Sequence, residues 1–148
     1  MATPFLPKLK NFCNMNIDLI IDSDVDCDLS SQDLELIAEN ALEKLELKKP
    51  HTTVEVFLVS NAKIQEINKK FRDKDEATDV LSFPQESFPE AKEETLGTIF
   101  IAPEFAKTIP VDPKNLFAHG LLHLMGYDHE SNLEEWDLAE NRIGEKTL

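Results

Sequence analysis

Three of the four histidines in this 148-residue chain fall within one eleven-residue run, H-G-L-L-H-L-M-G-Y-D-H, from His119 to His129. Residues four apart on a helix lie on one face, one turn from each other. His119 and His123 therefore point the same way, and their ring nitrogens can converge on one ion at the ~2.0–2.1 Å typical of zinc–imidazole bonds. Gly126 tolerates a positive φ and so can end the helix and turn the chain back. Three residues later, His129 can return to the same ion as a third ligand. Three neutral imidazoles favour zinc, with nickel or copper allowed by raw affinity. Three protein ligands leave one position open for water, the arrangement of a catalytic rather than a structural zinc site. A bare pair of histidines at this spacing is usually ordinary surface or core. Here the third histidine and the placement of the glycine set the run apart. His51, beside Pro50, reads as a solvated turn residue.

The spacing is that of the zinc-protease pattern H-E-x-x-H-x-x-G-x-x-H. The position of the protease's general-base glutamate, however, holds Gly120. That substitution speaks against a peptidase of the usual zinc type. It does not remove hydrolytic chemistry, because zinc lowers the pKa of bound water toward ~7 without a neighbouring carboxylate. Asp128, between the ligands, can orient a histidine or assist proton transfer, but a turn residue or a partner of a histidine is the preferred reading.

The elements that must position these residues follow from periodicity. Residues 16–22 read as a first strand. Leu34, Ile37, Ala38, Ala41, Leu42 and Leu45 recur at helical spacing in a helix that opens on a Ser30–Asp33 capping pattern. Residues 52–60 alternate and are β-branched, a second strand. Residues 61–72 form a helix with Ile64, Ile67 and Phe71 on one stripe, and residues 73–78 a polar loop. Residues 79–84 form a short strand stopped by Pro84, residues 85–94 an acidic loop and residues 96–102 another strand. A short helix starts at Pro103. The histidine-bearing helix has Asp112 as N-cap, Pro113 as first residue and Gly126 just past its end. Ser131 and Glu134 open a final helix. The fold class expected is α/β (α+β): a single domain with a mixed sheet of about four strands covered by helices, and a zinc site at the end of a central helix.

Length allows one domain with a sizeable core. Residues 1–15 read as an N-terminal extension and residues 16–148 as the domain. No apolar run approaches the ~18 residues needed to cross a membrane, and the N-terminus lacks the apolar core of a signal peptide. Cys13 and Cys27 are not a C-x-x-C pair and read as reduced thiols of a cytoplasmic protein. The net charge of −14 makes a poor generic nucleic-acid binder, so any such role needs a local basic patch and a bound cation.

H-G-L-L-H-L-M-G-Y-D-H resembles the H-G-x-L-H-L-x-G-Y-D-H signature of the YbeY-type family, bacterial endoribonucleases of rRNA maturation. I-N-K-K-F-R-D-K-D-E-A-T-D-V-L-S-F-P, residues 67–84, looks like that family's L-N-x-x-[YF]-R-x-x-D-x-x-T-D-V-L-S-F-P, and L-G-T-I-F-I-A is similar to its L-G-D-I-x-I strand. The blocks occur in the family's order, and the resemblance covers about residues 16–146. It implies a zinc-dependent, single-strand-specific endoribonuclease that processes the 3′ end of 16S rRNA and takes part in ribosome quality control. Its partners would be RNA and the ribosome or small subunit. By the same resemblance His119, His123 and His129 hold one zinc ion, and Arg72 is the functional arginine. Two positions depart from the family pattern: Thr98 stands where an aspartate is usual, and Asn115 where a histidine is usual. Both could shape the cleft.

Read from chemistry alone, Arg72 offers a planar, permanently charged fork that matches phosphate oxygens. Lys63, Lys69, Lys70, Arg72 and Lys74 cluster within twelve residues and could give RNA a local footing on an acidic body. Phe71 and Tyr127 are candidates for base stacking, whereas Phe83 reads as core. Two other readings compete: a ribosome-assembly factor that works by binding around a structural zinc, and a zinc hydrolase of peptides or esters, which Gly120 disfavours.

Overall fold

A computed structural model describes residues 17–27, 29–44, 52–84, 95–127 and 134. Among them the order is β1 (Ile17–Ser23), α1 (Ser31–Lys44), β2 (Thr52–Leu58), α2 (Asn61–Arg72), β3 (Val80–Pro84), β4 (Thr95–Ile101), α3 (Pro103–Thr108) and α4 (Pro113–Leu124). The strands form one sheet in the order β1-β2-β4-β3. β1, β2 and β4 run parallel, and β3 pairs antiparallel with β4 at the edge. The mixed sheet with helices on it matches the fold class expected. The acidic loop, His51, Cys13, Leu45, Asp128, His129 and, apart from Glu134, the final helix lie outside the described residues, as does the side chain of Leu42.

Alternation along the strands assigns side chains to two faces. On one, Val54, Val56, Ile99 and Ile101 meet Leu34, Ile37 and Ala41 of α1 and Leu116, Phe117 and Leu121 of α4. On the other, Leu81, Phe83 and Phe100 meet Ile64 and Ile67 of α2, with Phe57 and Phe71 packed against them. Aromatic rings knit this second layer. Phe57 stacks on Phe100 with centroids 5.2 Å apart. Phe100 meets Phe83 edge-on at 6.0 Å, and Phe83 meets Phe71 at 5.5 Å. Such offset and edge contacts suit the aromatic quadrupole. Phe83 is thus core, as expected.

The helix boundaries have local causes. The Ser30 hydroxyl accepts from Asp33 N–H at 3.1 Å at the start of α1. Ser60, expected at the end of a strand, instead lies beyond β2 and caps α2, accepting from Lys63 N–H at 3.1 Å. Asp112 caps α4 by accepting from Lys114 N–H at 2.9 Å, with Pro113 at the first helical position, where its missing N–H costs nothing.

α4 lies close over β4. A Cβ at Gly97 would stand 2.5 Å from both Leu124 Cδ2 and the Phe83 carbonyl oxygen. A Cβ at Gly120 would stand 3.2 Å from Ile99 Cγ2 and Cδ1. β4 also carries a bulge here, setting Leu96 and Gly97 against the single step from Thr53 to Val54. The missing side chain at Gly97 is what lets the last turn of α4 reach the sheet. Leu124 can rotate away from an added methyl, but the Phe83 carbonyl belongs to the backbone and cannot.

Gly97→Ala should therefore destabilise the protein by about 1–3 kcal/mol, the usual cost of overpacking. Asp112→Ala, which removes one cap bond, should cost about 1 kcal/mol. Urea unfolding midpoints check the order: a Gly97→Ala protein as stable as the parent would mean that α4 does not sit this close.

Candidate metal centre and phosphate contact

α4 buries Leu116, Phe117, Gly120, Leu121, Leu122 and Leu124. His119 and His123 lie on its flank and are half-buried. Their ring centroids are 4.9 Å apart with the planes at 73°. Two imidazoles this close can present lone pairs to a common ion. No group of three or more metal-ligating side chains gathers among the described residues, and the expected third ligand, His129, lies outside them. The donors present fit a metal that prefers imidazole nitrogen.

The end of α4 is built to turn the chain beside His123. Gly126 has φ +103°. Its N–H donates to the His123 carbonyl at 3.1 Å, and Tyr127 N–H donates to the Leu122 carbonyl at 3.0 Å. These bonds satisfy carbonyls that a helix end otherwise leaves without partners. The stop expected at Gly126 is present. Tyr127 is half-buried and packs against the core.

Gly120 now has a physical reason. Its α-carbon faces Ile99, so a glutamate here would be driven into the sheet rather than toward the histidines. The close seat of α4 therefore makes a side chain at this position crowd Ile99.

Arg72 is the last residue of α2 and is exposed. α2 covers the opposite sheet face from α4. The structure brings His119 and His123 together and leaves Arg72 across the edge strand from them. β3 is the partition. Phe83 faces α2 and holds Phe71, while Ser82 alternates to the α4 face, paired with Ile99. Ser82 is half-buried and was missed by the reading of single motifs. Its signal was the alternation of V-L-S-F-P.

The basic cluster is smaller than its count. Lys63 pairs with Glu66 and Lys69 with Asp75, each at 3.9 Å. Lys70, Arg72 and Lys74 stand outside those pairs, with Lys70 Nζ 5.1 Å over the Phe71 ring. Positive charge therefore concentrates at the C-terminal end of α2, beside β3.

Residues 73–78, expected as a polar loop, and Asp79, expected to open the next strand, form a strap that runs back along α2. Gln65 Nε2 donates to Asp75 Oδ1 at 3.0 Å, and Asn68 Nδ2 to the Glu76 carbonyl at 2.9 Å. Asp79 Oδ1 accepts from Val80 N–H at 2.8 Å, and the Asp79 carbonyl accepts from Ala102 N–H at 2.9 Å. The available signal was Asn68, an amide on the apolar stripe of its helix.

Thr98 is fully buried on the α2 face, where its hydroxyl donates to Glu55 Oε1 at 3.3 Å. It is thus across the sheet from the histidines. Asn115 is exposed in the first turn of α4. Cys27 is a half-buried free thiol. A cavity of about 730 Å³ opens near the other end of α4, between Val25, Val59, Pro103 and Asp112, away from the histidines.

Comparison with known proteins identifies the family. The family model described as Endoribonuclease YbeY matches residues 19–144. A relative from Sulfurovum sp. (strain NBC37-1), named Endoribonuclease YbeY, is 41% identical over 117 residues, 72% of this chain and 80% of its own length. One of the same name from Sulfurihydrogenibium sp. (strain YO3AOP1) is 36% identical over 135 residues, 86% of this chain and 88% of its own. The solution structure of a Thermotoga maritima protein superposes with a TM-score of 0.54 at 27% identity, covering 89% of each chain. With a family model spanning most of its length and relatives of this identity matched over most of theirs, the chain belongs to the Endoribonuclease YbeY family.

Proposed function

We propose that this chain is a zinc-dependent, single-strand-specific endoribonuclease of the cytoplasm, acting on the 3′ end of 16S rRNA and in ribosome quality control. The observation that carries the reading is the His119–His123 pair, with rings 4.9 Å apart on the flank of a helix stopped at Gly126, in a chain whose relatives are named endoribonucleases. His119, His123 and His129 would hold one zinc ion. Bound there, zinc would supply a Lewis acid beside the scissile phosphate.

Each protein group then has a defined task. The imidazoles must be unprotonated to act as ligands. The Arg72 guanidinium takes two phosphate oxygens in a planar fork and offsets the charge that builds on them in the transition state. Lys70 and Lys74 hold flanking phosphates and draw the strand toward β3. The nucleophile is either water or the RNA 2′-hydroxyl, and the product ends separate them. A 2′,3′-cyclic phosphate reports the hydroxyl, and a 5′-phosphate with a 3′-hydroxyl reports water.

The net charge of −14, with two of the cluster's lysines engaged by carboxylates, favours a second reading. In it the protein is an assembly factor that binds the ribosomal small subunit, and the metal is structural.

Purified protein should contain about one zinc per chain and cut single-stranded RNA, and chelation should abolish cutting. Arg72→Ala should keep its zinc and lose about 10²–10³-fold in rate, the range for removing one preorganised charge-stabilising donor. His123→Ala should lose zinc and cutting together. Zinc-loaded parent protein that leaves RNA intact would support the assembly-factor reading instead.

The salt dependence of RNA binding gives a separate test. Lys70→Ala and Lys74→Ala should each lower the slope of log K against log salt by roughly 0.7, the value for one phosphate contact on a single strand. Lys63→Ala and Lys69→Ala should leave the slope unchanged.

A further inference from the structure

We propose that the strap of residues 73–79 is a positioning device for Arg72, with Asp73 and Asn68 as the positioning residues. The inference rests on the assignment of Arg72 to the phosphate and names what aims it. Asp73 follows Arg72 directly and has φ 58°, ψ 35°. It is the one non-glycine residue with positive φ among the described residues. This left-handed conformation crowds the Cβ, although aspartate tolerates it better than most residues. Strain of this kind persists where the surroundings over-determine it.

The surroundings do so here. Asp73 N–H donates to the Lys69 carbonyl at 3.1 Å, and Lys74 N–H to the Asn68 carbonyl at 3.3 Å. The Asn68 side chain grips the strap further along, at the Glu76 carbonyl. Asn68 is 3% exposed, and its Oδ1 has no hydrogen-bond partner among the described residues. An apolar residue would pack at this position without burying an amide oxygen left unbonded. The amide's donor therefore serves the geometry of the turn rather than the core. The neighbouring Phe71 ring rests on Phe83 of β3. The far end of the strap is held at Asp79, where β3 begins.

The Arg72 backbone is thus held on one side by the Phe71 contact with β3 and on the other by the bonds of Asp73 and Lys74 to the last turn of α2. That held backbone sets the point at the end of α2 from which the exposed guanidinium reaches out. A freely rotating helix end would have to order its arginine at each encounter with RNA.

The test uses Asp73, an exposed position where substitution leaves the core intact. Asp73→Gly accepts φ 58° without strain and should cut RNA like the parent. Asp73→Val resists that conformation. It should keep its zinc content and melt within a few degrees of the parent, but lose at least tenfold in kcat with KM unchanged. In an Arg72→Ala background, Asp73→Val should change kcat less than twofold, because the group it aims is gone. A merely structural loss would multiply with Arg72→Ala. Independently of activity, the Arg72 Nε–H NMR resonance should be single and sharp in the parent and Asp73→Gly, and broadened in Asp73→Val. Parent-like cutting by Asp73→Val, or multiplying effects in the double variant, would overturn the positioning role while leaving Arg72 in place. If Arg72→Ala itself cuts like the parent, the arginine's assignment and its positioning fall together.

Discussion

The seat of α4 on β4 is the constraint on which the remaining features depend. Two glycines, Gly97 in the strand and Gly120 in the helix, bring the backbones together. Once α4 is seated, Leu116, Phe117 and Leu121 complete the core with α1, and the helix has only its flank left for polar groups. His119 and His123 occupy that flank. The contact that closes the core therefore also decides where the two imidazoles stand.

Around that seat the protein divides its chemistry between the two sides of one edge strand. Imidazoles lie on the α4 side, and the guanidinium with its two neighbouring lysines lies at the end of α2. β3 alternates between them, with Ser82 toward one and Phe83 toward the other. A thin partition of this kind can set two unlike groups near one substrate while keeping them from meeting each other. Among the described residues of this strongly acidic chain, Lys70, Arg72 and Lys74, outside the two ion pairs, gather at one helix end.

Much of this architecture was legible in the sequence, where local chemistry decides. Asp112, Pro113 and Gly126 mark α4 because caps and stops are set by neighbouring backbone groups. Ile64, Ile67 and Phe71 mark the buried stripe of α2 for the same reason. The second strand was read two residues too long, because Ser60 is compatible with a strand and its role as a cap appears only once α2 starts after it. The strap was read as a plain loop, since its order comes from Asn68 reaching a carbonyl eight residues away. The placement of Arg72 and Thr98 on the face opposite the histidines depends on strand order and on the bulge at Gly97, neither of which a motif records.

The pairing pattern also bears on how the chain finds this arrangement. Pro84 and Gly97 pair across β3 and β4, thirteen residues apart in the chain. The β2–β4 pairing that joins Glu55 to Thr98 spans 43 residues. Closing a short loop forfeits less chain entropy than closing a long one, and contacts between distant segments are the slow step of folding. The antiparallel hairpin is therefore the cheapest part of the sheet to assemble. It already contains the notch at Gly97 beside the Phe83 carbonyl. The receptor for α4 is in this sense a local product of the chain, built from segments thirteen residues apart.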